Sequence, residues 1–334
     1  MKSWFTDYKD SLSTVAAQVA ERIQAFPEPL ASAGSEYWRA YNPLEQGSTK
    51  NYICYLLPLW TNESCNLSED KVERLTTSCI FAMLYFFLLD DRADRQPTDK
   101  LSAISPAHAV ALTALFHDEM MRLFQSEFPA DSLFWTLYRR YLSEWAIAVA
   151  TEQEQRLPYG SISEPAEAFN FANKSAPVKL AAACIAIAAG KEHWIPSFEA
   201  AINRILLTLQ MMDDWMDWEE DWEQGSNSNM LIIHLNQRYH ASLPIDQPRA
   251  PLDRKQLEDE LYLKSGLRSF ATIASDAHQS LLENSISEPE LEKTIMHVHS
   301  FHETLTKQLN DVANQIEQNK LSLMHGGIFN FLSK

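Results

Sequence analysis

Two clusters of aspartates stand out by their spacing. Asp90, Asp91 and Asp94 close an apolar run from Ile80 to Leu89, and Asp213, Asp214 and Asp217 follow Gln210 in a second run, with Asp221 and Gly225 beyond. On a helix, residues three and four apart share a face. Asp90 and Asp94 then form one carboxylate patch, and Asp213, Asp217 and Asp221 form a stripe that also carries Gln210. Like charges so placed repel by about 0.2–0.5 kcal/mol per pair in water, and by more in a cleft. Carboxylates at the ends of apolar helices are costly unless a cation meets them. Mg²⁺ suits them, because it takes oxygen ligands and uses one or two carboxylates together with water and phosphate oxygens. Two such patches facing one cavity would hold several ions around a diphosphate and draw electrons from it as a leaving group. A calcium-binding EF-hand is excluded, since neither box has that loop's glycine and terminal glutamate.

A single box of this kind is more often a solvated helix face than a metal site. Its approach, Phe81-Ala82-Met83-Leu84-Tyr85-Phe86-Phe87-Leu88-Leu89, is too apolar for a solvated helix, and the box occurs twice. A third element is Asn173-Lys174-Ser175-Ala176-Pro177, followed by an alanine-rich apolar stretch. A surface lysine is the common reading of Lys174. Beside two metal boxes it becomes a phosphate-pairing candidate.

These residues need helices to position them. Gly is rare (8) and Pro modest (15), and no Asn-Gly hairpin pattern separates alternating runs. The fold class is therefore all-α, with residues 1–334 read as one helical domain around a central apolar cavity. Residues 4–25 form an amphipathic helix that Pro27 and Pro29 end. A second helix starts near Thr49 and is broken or kinked at Pro58. Asn66, Ser68 and Glu69 cap the helix that reaches Asp94. Further helices are predicted over 104–127, 131–155 and 164–190, the last kinked at Pro177. Pro196 opens the helix that carries the second box to Glu223. Helices over 254–285 and 288–320 complete the chain. Residues 241–256, with Pro244, Pro248 and Pro251, form either a mobile lid or an ordinary linker.

Lys and Arg total 28 against 45 Asp and Glu, a formal charge of -17. That balance argues against a nucleic-acid partner, which wants a basic surface. The four cysteines lack metal or disulfide-framework spacing and fit a reducing cytoplasm. The start of the chain lacks the apolar run of a signal peptide. The longest apolar runs, about ten residues, are too short to span a bilayer, so no transmembrane segment is expected.

Taken together, the boxes resemble those of the trans-isoprenyl diphosphate synthase superfamily, which shares its fold with class I terpene synthases. The second box matches the family pattern FQxxDDxxD…D…G, with Leu209 in place of Phe. Lys174-Ser175-Ala176 is similar to the family's diphosphate-contacting Lys-Thr-Ala/Gly step. The match in order and spacing runs from about residue 45 to 225. The resemblance implies a helical bundle with Mg²⁺ at the mouth of a deep apolar cavity, three ions with the bound diphosphate, and a homodimer. It makes Asp90, Asp94 and Asp217 the leading metal ligands, with Asp91, Asp213 and Asp214 supporting them. Lys174 and Gln210 are the candidate catalytic residues.

The chain departs from the elongating members where they bind isopentenyl diphosphate. Their Gly-Lys-Arg becomes Gly47-Ser48-Thr49-Lys50-Asn51, which keeps Lys50 as a substrate contact but loses the Arg. Their Arg-Arg-Gly after the first box becomes Arg95-Gln96-Pro97-Thr98-Asp99-Lys100. An enzyme that ionises one allylic diphosphate but lacks contacts for a second is expected to cyclise or eliminate. The favoured reading is a Mg²⁺-dependent terpene synthase giving a hydrocarbon or alcohol; the alternative is a prenyltransferase that elongates or alkylates an acceptor. Head-to-head condensation fits less well, although Asp217-Trp218-Glu219-Glu220-Asp221 is similar to its DxxED motif. A silent subunit would be expected to lose carboxylates, and this chain keeps both boxes. Aromatic faces stabilise carbocations. Helical phase makes Met83, Phe86, Phe87 and Phe171 the cavity-lining candidates, while Trp215 and Trp222 are read as packing. Bulk at Tyr85 and Phe86 suggests a ten- or fifteen-carbon substrate, with twenty carbons left open. Arg238, Tyr239 and Lys307 are basic or polar candidates for the diphosphate that no spacing selects.

Overall fold

A computed structural model of the chain describes residues 3–49, 51–93, 104–154, 172–225, 228–244, 250–285 and 289–332. Among these residues every regular element is helical and there is no strand. The α-helices are α1 (Ser3–Thr6), α2 (Lys9–Gln24), α3 (Leu30–Tyr41), α4 (Tyr52–Cys65), α5 (Glu69–Ala93), α6 (Pro106–Glu127) and α7 (Leu133–Glu154). They continue with α8 (Leu180–Ala188), α9 (Ile195–Glu223), α10 (Met230–Ala241), α11 (Arg254–Glu258), α12 (Gly266–Ser285) and α13 (Glu292–Leu332). Lys50, Asp94 and Phe171 lie outside the described residues, as do Arg95–Lys100 and residues 245–249 of the proline-containing 241–256 segment.

The chain divides into two compact units. The first comprises Met1–Ser143, Ala176–Glu199 and Glu290–His297. At its centre α5 packs against α2, α4, α6 and α8. Glu69 and Asp70 in its first turn favour the positive end of the helix dipole. Arg74 then pairs with Asp70 and with Glu127 of α6, the latter at 2.8 Å. Leu75, Ile80, Phe81, Leu84 and Leu88 are fully buried, each contributing about 1.5–3 kcal/mol. Over Glu69–Arg92 this helix is long and apolar enough to cross a membrane by composition, so the expectation from the short apolar runs is too strict. Its most apolar window is 78% buried inside the protein, which marks a core helix.

Three local differences from the sequence reading have physical causes. The expected 4–25 helix is broken at Asp7 and Tyr8, where the Tyr8 hydroxyl donates to Glu63 Oε1 at 2.9 Å. Helix α4 runs through Pro58 to Cys65, because nearly all of Ile53–Trp60 is buried and tertiary packing outweighs one lost backbone bond. It stops at Asn66, left-handed at φ 57, a conformation that asparagine tolerates. Helix α3 was not expected; the sequence reading ended its first helix at Pro27 and Pro29 and assigned nothing to the segment that follows. A Cβ at Gly34 would lie 2.9 Å from Ile23 Cγ2 and 3.1 Å from Leu112 Cδ2, so this glycine lets α3 approach its neighbours.

The second unit comprises Glu144–Ser175, Ala200–Pro289 and Val298–Lys334. In it α10 packs on α11, on a π-turn at Asp259–Leu263 and on α12. The expected 254–285 helix is interrupted by this turn and by Ser265 at φ 59. Buried Glu260 in the turn meets Lys264 Nζ at 2.8 Å and Arg238 Nε at 3.7 Å. Arg238 also donates to the Lys264 carbonyl at 2.6 Å, so this diphosphate candidate serves a structural pair. All four cysteines are free and buried, as small core residues should be.

A histidine cluster also lies in this unit. His302 is fully buried and shares a 2.7 Å hydrogen bond with Thr208, while His278 Nδ1 approaches His302 Nδ1 at 3.4 Å. Burial first, then His278, His299 and Arg204, pushes the His302 pKa down to about 3. The unfolded value is about 6.5, so the stability from a neutral His302 is complete above pH ~6.5 and is lost as pH falls toward 3. One such group contributes a slope of at most about 1.4 kcal/mol per pH unit. Urea midpoints between pH 7.5 and 5 should therefore fall more steeply for the wild type than for His302→Gln. Parallel pH profiles would contradict a buried neutral histidine.

Candidate active site

The first box sits at the C-terminal end of α5. Asp90 is half-buried, whereas Asp91 is buried at 9% exposure. The Tyr37 hydroxyl donates to Asp91 Oδ2 at 2.9 Å and the Tyr41 hydroxyl to the same oxygen at 3.3 Å. These tyrosines are one turn apart on α3, with ring centroids 5.0 Å apart. Burial first, and the Asp91 carboxylate next to them, hold both phenols well above the ordinary tyrosine range, so they remain protonated donors. Tyr55 of α4, fully buried, donates to the Tyr41 carbonyl and braces the end of α3. Phe87 is half-buried with its ring 5.2 Å from Tyr41; Met83 and Phe86 are buried. Tyr85 lies 4.9 Å from both Phe86 and His117.

The second box lies on α9. Asp213 and Asp217 are exposed on one face, and Asp214 is buried at 6% exposure. Gln210 Nε2 donates to Asp214 Oδ1 at 2.8 Å, and the Met230 backbone N–H donates to Oδ2 at 2.7 Å. That N–H opens α10, so Asp214 meets the positive end of a helix. Burial pushes the Asp214 carboxyl up to about 7, and the Gln210 and Met230 donors oppose that shift. The Asp217 carboxyl is also held above the usual range, first by partial burial and then by Asp221 and Glu220. Asn229 is 1% exposed; its Nδ2 donates to the Asp214 carbonyl and to Asp221 Oδ2, both at 2.8 Å. Trp215 and Trp222 are half-buried. Lys174, also of this unit, is half-buried in a 3₁₀ segment, Ala172–Lys179, that includes Pro177.

In each box the second aspartate of the pair is turned inward onto protein donors. The first is more exposed to solvent. Gln210, a catalytic candidate in the sequence, acts here on the Asp214 carboxylate. Sequence reasoning missed Tyr37, Tyr41 and Asn229. Asn229 had a signal, since an asparagine before the apolar run Met230–Ile233 reads as an N-cap. Tyr37 and Tyr41 had only their four-residue spacing, in a segment that looked broken.

The donor set fits a hard cation. Asp90, Asp213 and Asp217 offer carboxylate oxygens with solvent access, and neighbouring carboxylates already disfavour the charge on Asp217. Among the described residues no three Asp, Glu, His or Cys side chains converge into a preformed cage. One or two carboxylates per ion, completed by water and phosphate oxygens, is the Mg²⁺ pattern.

Two solved structures are similar to this chain over nearly its whole length. A geranylgeranyl pyrophosphate synthetase from the archaeon Geoglobus acetivorans superposes with a TM-score of 0.59 at 15% identity, covering 89% of this chain and 98% of its own. A heptaprenyl diphosphate synthase from Staphylococcus aureus superposes with a TM-score of 0.60 at 13% identity, covering 91% and 98%. No protein-family model matches the chain, and no curated protein matches it. The chain has the all-helical fold of the isoprenyl diphosphate synthases.

The inward aspartates should matter to folding. Tyr37→Phe removes the shorter of the two hydroxyl bonds to Asp91 while keeping the ring. It should cost about 1–3 kcal/mol, the range for weakening the satisfaction of a buried carboxylate. A urea midpoint indistinguishable from wild type would show that the Asp91 contact carries no stability.

Proposed function

We propose that this protein is a Mg²⁺-dependent class I terpene synthase, a single catalytic domain over 1–334 that ionises a linear allylic diphosphate and cyclises the carbocation. The observation that carries this reading is the pair of intact aspartate boxes beside degraded contacts for a second anionic substrate. Asn51 stands where the resembling family has its arginine, and it opens α4 with its backbone carbonyl accepting from Cys54 N–H at 3.0 Å.

Asp90, Asp94, Asp213 and Asp217 are the metal-holding carboxylates in this reading, with Asp91 and Asp214 supporting them from their inward positions. Bound Mg²⁺ supplies Lewis acidity to the departing diphosphate. Lys174 pairs with the diphosphate charge, and Lys50 adds a further contact. Gln210 orients Asp214. Met83, Phe86, Phe87 and Phe171 exclude water from the cation and face it with apolar and aromatic surface. The acidic charge and buried free thiols support a cytoplasmic enzyme without a nucleic-acid partner, and the homodimer rests on the family resemblance alone.

A prenyltransferase is the second reading. The activities named for both structural neighbours favour it, since each is a prenyl diphosphate synthase or synthetase. Product analysis by gas chromatography–mass spectrometry separates the two. Purified protein with Mg²⁺ would receive ten-, fifteen- and twenty-carbon allylic diphosphates, each with and without isopentenyl diphosphate. The expected result is a hydrocarbon or alcohol without isopentenyl diphosphate, and turnover reduced below detection in folded Asp90→Asn and Asp217→Asn. A longer linear diphosphate formed only with isopentenyl diphosphate would establish the second reading. Full activity in either aspartate variant would remove the metal assignment.

A further inference from the structure

Asn229 makes more contacts than a helix cap requires. Capping α10 takes one acceptor, and Asn229 Oδ1 provides it by accepting from Ile232 N–H at 3.0 Å. Serine, threonine or aspartate would serve equally well there. What asparagine adds is Nδ2. Both of its hydrogen bonds return to the box helix α9, one to the Asp214 carbonyl and one to Asp221 Oδ2, each at 2.8 Å.

Those two acceptors bracket the metal-binding stripe. Asp221 is one turn beyond Asp217 and shares its face. At 1% exposure Asn229 cannot exchange these partners for water without moving the start of α10. The next residue, Met230, donates to the Asp214 carboxylate from its backbone. One short loop end thus holds the Asp214 backbone, the Asp214 side chain and the Asp221 side chain at once.

We propose that Asn229 is the positioning residue of the second aspartate box, fixing Asp221 and Asp214 so that Asp213 and Asp217 present their carboxylates to metal. This rests on the proposed reading of the box as a metal–diphosphate site. Groups that orient metal ligands from behind typically change metal affinity by about 10–100-fold when removed.

The test is an electron paramagnetic resonance titration of the full chain with Mn²⁺ in the presence of inorganic pyrophosphate, with a thermal melt of each variant. Asn229→Ser keeps a capping oxygen and removes both amide donors. It should weaken Mn²⁺ binding by about 10–100-fold while the melting temperature stays within a few degrees of wild type. Asp221→Ala leaves the cap intact and removes the partner instead. It provides the same information if the serine variant does not fold, and should show a comparable loss. The double variant should bind no more weakly than the weaker single one, because the Asn229–Asp221 bond that Asp221→Ala removes is already lost in Asn229→Ser. Unchanged Mn²⁺ binding in a folded variant, or losses that add in the double variant, would overturn the role of Asn229 while leaving the metal site standing. No Mn²⁺ binding by the wild type with pyrophosphate would overturn the metal–diphosphate reading itself, and the proposal with it.

Discussion

A carboxylate buried at the end of an apolar helix must find donors, and this chain meets that demand twice. Asp91 is held by two phenols, and Asp214 by an amide side chain and a helix N-terminal N–H. An unsatisfied carboxylate at either position would cost several kcal/mol on the order expected for a buried charge. Meeting the demand joins α3 to α5 in one unit and α10 to α9 in the other. Local order at each box follows from these bonds. The Tyr55 brace on Tyr41 and the Asn229 cap are fixed by the same requirement.

The consequence for chemistry is a division of labour within each pair. The inward aspartate accepts from protein donors, Asp91 through Oδ2 and Asp214 through both oxygens. The outward one, Asp90 or Asp213, has solvent access. Two adjacent identical residues thereby take different roles, because the α-helix rotates consecutive side chains by about 100°. In the proposed metal-binding reading, carboxylates backed by a second set of hydrogen bonds would gather metal without reorganising.

Much of this was legible from the sequence. The all-α class, the helix ending in the first box and the helix carrying the second follow from apolar periodicity and from Pro196 near the start of α9. In the first box periodicity alone did not separate the outward aspartate from the inward one, since both Asp90 and Asp91 lie within three or four residues of Asp94, and only the family resemblance ranked Asp90 above Asp91; in the second, the i, i+4 stripe had already set Asp213 apart from Asp214. The choice is made by tertiary partners. Those partners come from α3, to which the sequence reading assigned no helix, and from Asn229, whose amide donors no spacing rule reveals. Pro58 misled because burial of α4 outweighs a local breaker. The roles of Lys50, Asp94 and Phe171 rest on sequence alone. The same fold at 15% and 13% identity shows how little of the core's residue detail the architecture needs. Function resides in a handful of side chains placed on it.

The most direct test of the account is a crystal structure of the protein with Mg²⁺ and a non-hydrolysable allylic thiolodiphosphate. The account predicts Mg²⁺ density on Asp90 and on Asp213 or Asp217, bridged to diphosphate oxygens. Asp91 should still be bonded to Tyr37, and Asp214 to Gln210 and the Met230 N–H. Metal bound instead through Asp91 or Asp214 with those hydrogen bonds broken, or diphosphate bound away from both boxes, would contradict it.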